Sequence, residues 1–342
     1  WTGQTKDCSS ISTAYSRATP SRDASLNVHL SYLFFLMQFK VIVVESAGDL
    51  SFYLRFLSNR MRLKVLLPHG FCLKGSGILA PNLNNKQIKI WSQVGRSFNI
   101  ISVSSQLEKY MVSSTVNAAP NNCVVMGPQR SMGIKTRKES ERSKARSLMQ
   151  DAYKVNLDND QQIMFYAPTH RDHIHALKRP ILFGFDSISQ LNDELIKSNT
   201  LLFVREHGLS SSDPGNEASN IIYTSKAGNI DFDLLHAGID SLITDYSGIF
   251  LEYLRTHIKF CFWQYDILDY RQARGFSISE DIFKIGCQLV HPKNMIEFLN
   301  STSVPREMQV SREFWHDLLY ENSTEESLSL TVEEIKSRVK SF

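Results

Sequence analysis

Residues 242–254 read LITDYSGIFLEYL, an apolar run that stops at Asp245 and resumes at Ile249 with a different period. Leu242 and Ile243 have the character of a buried strand. Ile249, Phe250, Tyr253 and Leu254 recur at i, i+1, i+4 and i+5, the stripe of a helix. A strand feeding a helix through a short polar turn is the repeating unit of a parallel sheet covered by helices. Such sheets hold their ligands at the carboxyl ends of their strands, so Asp245, Tyr246, Ser247 and Gly248 mark a candidate site. Ser247 falls at the expected N-cap, where a hydroxyl and free amides favour a phosphate. Gly248 removes the side chain that would keep a ligand off the backbone. The same residues admit a structural reading, in which Ser247 only caps its helix and Asp245 only braces the loop.

Outward from this stretch the alternation continues. In the first half, segments 40–46 (KVIVVES), 63–70 (LKVLLPHG), 98–104 (FNIISVS) and 122–127 (NCVVMG) predict strands, with helical spacing in SFYLRFLSNRM and SQLEKYMVSS between them. A second series follows at 162–168 (QIMFYAP), 200–208 (TLLFVREHG), 219–225 (SNIIYTS), 240–248 and 258–263 (IKFCFW). NMIEFLN and VEEIKSRVKSF predict helices in the tail. At 342 residues the chain exceeds what one core usually serves. The expectation is two α/β domains facing across a cleft: residues 1–145 on the amino side, 146–342 on the carboxyl side with the terminal helices.

Three more strand exits carry chemistry. In FVREHG, Arg205 and His207 stand at i and i+2 and emerge on one face. A guanidinium fork beside an imidazolium suits phosphate oxygens, although a surface ion pair with Glu206 explains the pattern equally well. YAPTHRDHIH (166–175) adds Thr169 and Arg171 to such a site. Its His170, His173 and His175 lack a second ligand cluster at metal-binding spacing, so no metal is expected. LLPHGFCLKGSG (66–77) places His69 and Lys74 at a strand exit of the first domain, where a histidine is suited to general-base work near neutral pH. G-x-x-x-x-G-K-[ST] and G-x-G-x-x-G are both absent, which disfavours a P-loop NTPase and an ordinary dinucleotide-binding domain.

Bulk properties exclude further classes. A net charge of +3, without aromatic and basic residues interleaved on one segment, disfavours a nucleic-acid partner. Five scattered cysteines without a C-x-x-C fit a reducing compartment rather than a disulfide framework. The longest apolar stretch, YLFFLMQFKVIVV (32–44), is interrupted by Gln38 and Lys40 and is read as a buried strand rather than a membrane span. The chain opens on Trp1, read as a fragment or processed product, and its first 25 residues lack the apolar core of a signal peptide. Residues 130–146 hold seven basic and two acidic residues. They form either a solvated helix face or a patch drawn to anionic lipid headgroups or to a polyanionic product. The expected location is cytoplasmic, peripheral on the cytoplasmic face of a membrane.

Taken together, these stretches resemble the CDP-glycerol glycerophosphotransferase family of teichoic-acid and capsule polymerases. The run from Ile243 to Phe276 is similar to that family's ITDYSS, acidic-aromatic pair, YDLEEY-like segment and RGF. The parallels are Asp245-Tyr246-Ser247, Glu252-Tyr253, Tyr265-Asp266, Tyr270 and Arg274-Gly275-Phe276. YAPTHRD resembles YAPTWRD, VREHG resembles LR-x-HP, LPHGFCLK resembles WHGTPLK, and VVMGPQR is a looser match to TGYPR. The likeness spans roughly residues 60 to 300; the segment before about 60 matches poorly and is read as an incomplete part of the first domain. Pro68 stands where the family has Trp before the histidine, Gly208 replaces Pro, and Gly248 replaces the second serine.

The resemblance implies a GT-B fold and metal-independent transfer of a polyol phosphate, glycerol phosphate foremost, from a CDP-activated donor to a hydroxyl. The acceptor is a polyol-phosphate chain or a glycolipid, and CMP leaves. The family's two important histidines fall on His69 and His207, assigned as catalytic. Thr169, Arg171, Arg205, Asp245, Ser247, Gly248 and Glu252 are assigned to the donor and Lys74 to the acceptor, with no cofactor. Two rival readings stand beside this one: a GT-B glycosyltransferase or epimerase using a nucleotide sugar, and an inactive nucleotide- or polymer-binding module.

Overall fold

The computed structural model describes residues 25–45, 53–54, 56–68, 70–128, 139–158, 160–169, 182–205, 218–224, 236–322 and 324–340. Two all-parallel sheets organise them. The first contains β1 (Val41–Val44), β2 (Leu63–Leu66), β3 (Ile100–Val103) and β4 (Cys123–Val125), in that spatial order. Its helices are α1 (Leu26–Met37), α2 (Asn85–Val94) and α3 (Gln106–Val116). After α4 (Glu139–Tyr153) comes the second sheet, of β5 (Gln162–Ala167), β6 (Thr200–Val204), β7 (Ile221–Tyr223), β8 (Ser241–Thr244), β9 (Lys259–Phe262) and β10 (Cys287–Gln288). Its spatial order is β10-β9-β8-β5-β6-β7. It is accompanied by α5 (Ile188–Lys197), α6 (Ile267–Ala273), α7 (Pro292–Asn300), α8 (Arg306–Leu319) and α9 (Thr324–Lys340).

All nine strands expected from the apolar runs are present, and the two-sheet α/β architecture is as anticipated. Three details differ. Residues 32–37 of the stretch read as one strand lie in α1, and only Val41–Val44 are extended. Tyr32 and Leu36, one turn apart, face the core, while Phe34 and Met37 face outward. The polar residues of the helix, Asn27, His29 and Ser31, all precede this stretch, so 32–37 show no polar position from which a helical period could be read. Arg62 Nη2 donates to the Met37 carbonyl at 2.7 Å and satisfies the end of that helix. The segment after Ser247 is a 3-10 helix over Gly248–Tyr253 rather than an α-helix. Strand β10 was not anticipated; its two residues pair with Cys261 and Phe262.

Direction reverses in the second sheet between β5 and β8. The chain runs outward through β6 and β7, then returns to the other side of β5, which makes the exits of β5 and β8 a topological switch point. The two halves are joined at several places. Phe71 and Leu73, just past β2, are buried in the core that contains Phe165, Phe203, Leu242, Tyr246 and Phe250 of the second half. Arg142 and Arg146 of α4 both reach Asp240 at 2.8 Å, ahead of β8. Helix α9 returns to the first sheet, where Ile335 packs on Leu63, Val65, Ile100 and Met126. Among the described residues no helix is long and apolar enough to cross a membrane.

Candidate active site

The exits of β5 and β8 are locked together by one carboxylate. Asp245 is fully buried; its Oδ1 accepts the Thr169 N–H at 2.8 Å and also the N–H of Tyr246. Thr244 Oγ1 donates to the Ala167 carbonyl at 2.7 Å beside it. A buried carboxylate that satisfies two backbone donors fixes loop shape. Of the two readings offered by the sequence, bracing is therefore the one Asp245 is seen to perform. Tyr246, also fully buried, stacks on Tyr270 at 3.9 Å between ring centroids and donates to Asp266 at 2.9 Å. The Tyr-Asp segment and the RGF segment thus form the floor beneath the β8 exit, with Phe276 against Tyr246.

Ser247 and Gly248, by contrast, are half-buried at the rim. Ser247 is the N-cap of the 3-10 helix, but its hydroxyl accepts from Ile249 N–H at a long 3.5 Å, a weak cap that leaves the hydroxyl available. Gly248 lies against the first half: a Cβ built on it would stand 3.8 Å from the Phe71 carbonyl oxygen. The β8 exit and the β2 exit therefore meet. Arg205 emerges half-buried directly after β6, its N–H bonded to the Tyr166 carbonyl at 2.9 Å, one strand away from Thr169. Thr169 is buried.

The β2 exit is held from both sides. Glu108, in the first turn of α3, is buried; its Oε2 accepts the Ser104 N–H at 2.6 Å and its Oε1 the Cys72 N–H at 3.4 Å. Burial pushes its carboxyl above the usual range, against the pull of those backbone donors. On the other side the loop pairs with the RGF segment. Lys74 bridges Phe276 in antiparallel fashion, Gly75 N–H donates to the Gly275 carbonyl at 3.1 Å, and Ser277 N–H donates to the Leu73 carbonyl at 3.0 Å. Only glycine fits at 75, since a Cβ there would lie 2.3 Å from the Arg274 carbonyl oxygen. Lys74 thus sits half-buried on the line between the halves.

Between the exits lies a small cavity walled by Pro68, Gly70, Phe71, Ser102, Ser104, Glu108, Glu252 and Tyr320. Glu252, assigned from sequence to the donor, borders this cavity. Glu108 and Tyr320 were not anticipated. Glu108 is masked in the sequence as an ordinary acidic residue in a helix's first turn, and Tyr320 as the end of an amphipathic one. His69, Arg171 and His207 lie outside the described residues, as do His170, His173 and His175 and positions 130–138 of the basic stretch. Among the described residues no group of three His, Cys, Asp or Glu could hold a metal ion.

A model of the family described as CDP-glycerol:poly(glycerophosphate) glycerophosphotransferase matches residues 8–326. No curated protein matches the chain. Among solved structures, the wall teichoic acid polymerase TagF soaked with CDPG superposes with a TM-score of 0.68 at 19% identity, covering 88% of this chain and 73% of that one. A putative UDP-N-acetylglucosamine 2-epimerase from Listeria monocytogenes gives 0.53 at 12% identity, with 92% and 79% covered. UDP-GlcNAc 2-epimerase from Neisseria meningitidis bound to UDP-GlcNAc gives 0.52 at 10%, with 91% and 80% covered. At these identities the likenesses establish a shared two-domain fold.

Proposed function

Because the chain belongs to the CDP-glycerol:poly(glycerophosphate) glycerophosphotransferase family, we propose that it transfers glycerol phosphate from CDP-glycerol to a terminal hydroxyl of a growing polyol-phosphate polymer, releasing CMP. The observation that carries this reading is the meeting of the β2 and β8 exits, with Gly248 against the Phe71 carbonyl. It supports the reading by setting Phe71, just past β2, against Gly248, the neighbour of Ser247. In the proposed step, His69 takes the proton of the acceptor hydroxyl while that oxygen bonds to the phosphorus carrying glycerol. The bridging bond to CMP breaks and CMP leaves with the electron pair. Transfer of this kind asks the protein mainly for alignment and for donors to the crowded phosphoryl oxygens. Arg205, His207, Arg171, Ser247 and the amides at 248–249 would supply the donors, Thr169 would close the donor side, and Lys74 would draw the anionic acceptor.

Two parts of the reading are finer. In this reading cationic side chains serve in place of a divalent ion and the reaction needs no metal; turnover should then survive EDTA unchanged. The enzyme works at an anionic membrane surface through residues 130–146. Arg142 and Arg146 are committed to Asp240, so Arg130, Lys135, Arg137, Lys138 and Lys144 would make that contact.

The deciding experiment incubates the protein and a phosphorylated polyol acceptor with CDP-glycerol, CDP-ribitol or common sugar nucleotides. CMP release with CDP-glycerol is expected. Release of a nucleoside diphosphate would establish sugar transfer instead, and CDP binding without any CMP would establish a binding module. Removal of a single oxyanion donor commonly costs about 10²–10³ in rate. His69→Ala and His207→Ala are accordingly expected to lose turnover by at least that factor while melting like the parent; near-normal turnover in either removes its assigned role.

A further inference from the structure

Away from the strand exits, two thiols stand side by side on the second sheet. Cys261 in β9 and Cys287 in β10 are direct register partners. Adjacent strands lie about 4.7–4.9 Å apart, so the two Cα atoms fall inside the roughly 4.4–6.8 Å that a disulfide spans. Paired positions on neighbouring strands share a face of the sheet, and both cysteines pack in the cluster that holds Met164, Ile243 and Met295. The pair is hidden in the sequence, because its members lie 26 positions apart and one belongs to the strand that no apolar run announces.

The two sulfurs are not equivalent. Cys261 is fully buried, and burial pushes its thiol well above the usual range. Cys287 is half-buried on the edge strand β10, with its Sγ 3.8 Å from the Gln288 carbonyl and 4.0 Å from the Asn294 carbonyl of α7. The hydrogen bond that Cys261 directs at it draws the Cys287 pKa down, against the opposing effect of burial. A reachable sulfur that favours the thiolate, beside a covered one, is the arrangement of an attacking and a resolving cysteine. Cys72 and Cys123 are instead hydrogen-bonded to the hydroxyls of Ser76 and Ser113.

We propose that Cys261 and Cys287 form an oxidation site, which a low-molecular-weight disulfide converts reversibly into a cross-strand bridge. The Cys287 thiolate attacks one sulfur of the reagent, giving a mixed disulfide and expelling one thiolate. The Cys261 sulfur then attacks Cys287 Sγ. The bond from Cys287 to the reagent breaks, and the second thiolate leaves with the electron pair and takes up the Cys261 proton. Two protein thiols are oxidised and the reagent is reduced to two thiols. In a reducing compartment such a bridge is transient and redox-sensing rather than structural. It closes the segment between β9 and β10, which carries Asp266, Tyr270 and Phe276 around Tyr246 beneath the β8 exit. Oxidation thereby ties together the two ends of the site's floor.

No substrate is needed for the test, so its outcome is independent of the transferase reading. The folded protein is treated with glutathione disulfide, remaining thiols are blocked, and its peptides are mapped by mass. Peptides joined through Cys261 and Cys287 are expected, and dithiothreitol should separate them. Trypsin cleavage after Arg271 and Arg274, between the bridged strands, should slow severalfold in the oxidised protein; an unchanged rate would overturn the tie across the floor. Cys287→Ser should abolish the bridge and leave Cys261 unmodified in the folded protein. Cys261→Ser should stop the reaction at a glutathione adduct on Cys287. Because Cys261→Ser alters the core, Cys287→Ser at the sheet edge carries the test if the former does not fold. An unmodified pair, a glutathione adduct on the parent's Cys287 that never resolves, or a bridge through any other cysteine would overturn the assignment.

Discussion

Ser247 is where the competing readings of a single side chain can be separated. As a cap it accepts one N–H at 3.5 Å, too long for a strong bond, so its loss should sit at the low end of the usual cap cost of about 0.5–2 kcal/mol. As a donor to a phosphoryl oxygen it should matter far more to rate. Ser247→Ala is thus expected to lower stability by no more than about 1 kcal/mol in urea titrations and turnover by about a hundredfold. A normal rate with a large stability loss would return the residue to a structural role. Lys64 offers a second test at this scale. It is 1% exposed, its Nζ donates to the carbonyls of Leu54 (3.0 Å) and Leu57 (2.7 Å), and burial lowers its pKa to about 8. Unfolding returns it to the ordinary lysine value near 10.5. Between these values the unfolded chain binds more protons than the folded one, so stability should rise with pH across that window, by at most about 3 kcal/mol. Lys64→Met should abolish that rise, and unfolding midpoints compared at pH 7.5 and 9.5 would measure it.

At the scale of elements, the line where 73–77 meets 274–277 carries the most consequence. The β2 exit there is backbone-paired to the RGF segment, and Phe71 and Leu73 enter the other half's core. Gly75→Ala places a methyl 2.3 Å from the Arg274 carbonyl oxygen, a backbone atom that cannot turn aside. Overpacking of this kind costs typically 1–3 kcal/mol. The variant should melt lower and be cut by protease within 70–77, whereas an unchanged melting temperature would show that the line parts easily. The strands themselves were legible in the sequence because each is a short continuous apolar run bounded by polar or glycine residues, the pattern of strands buried on both faces. Helix α1 was not, since its last six residues, 32–37, are all apolar although Phe34 and Met37 point outward while Tyr32 and Leu36 point inward. Strand β10 was not either: two residues are below what any periodicity can register, and their pairing with Cys261 and Phe262 is decided by tertiary placement.

For the whole molecule, the two-sheet layout and the strand exits that converge could be read from order and spacing. What converges on them from elsewhere could not. Glu108 and Tyr320 lie 212 positions apart, and their meeting depends on α8 delivering Tyr320 and Glu321 to the turn before α3. The tail has a similar role in α9, which crosses back so that Ile335 packs on Leu63, Val65, Ile100 and Met126. Ile335→Ala should therefore weaken the first sheet although it belongs to the last helix. The expected cost is about 1–2 kcal/mol, below that of a fully buried isoleucine because this one is only partly covered. Hydrogen exchange should show faster opening at β2 and β3 in the variant, and slowed or unchanged exchange there would exclude the contact.

The line at residues 73–77 also means that the β2 exit cannot follow either sheet alone. It is stitched to the RGF segment by backbone bonds and to the second half's core by Phe71 and Leu73, while the Glu108 carboxylate ties Cys72 to the first half. A swing of one sheet against the other would have to break one of these two sets of fastenings, so the strap resists hinge opening at its own position and leaves the remaining seam to yield first.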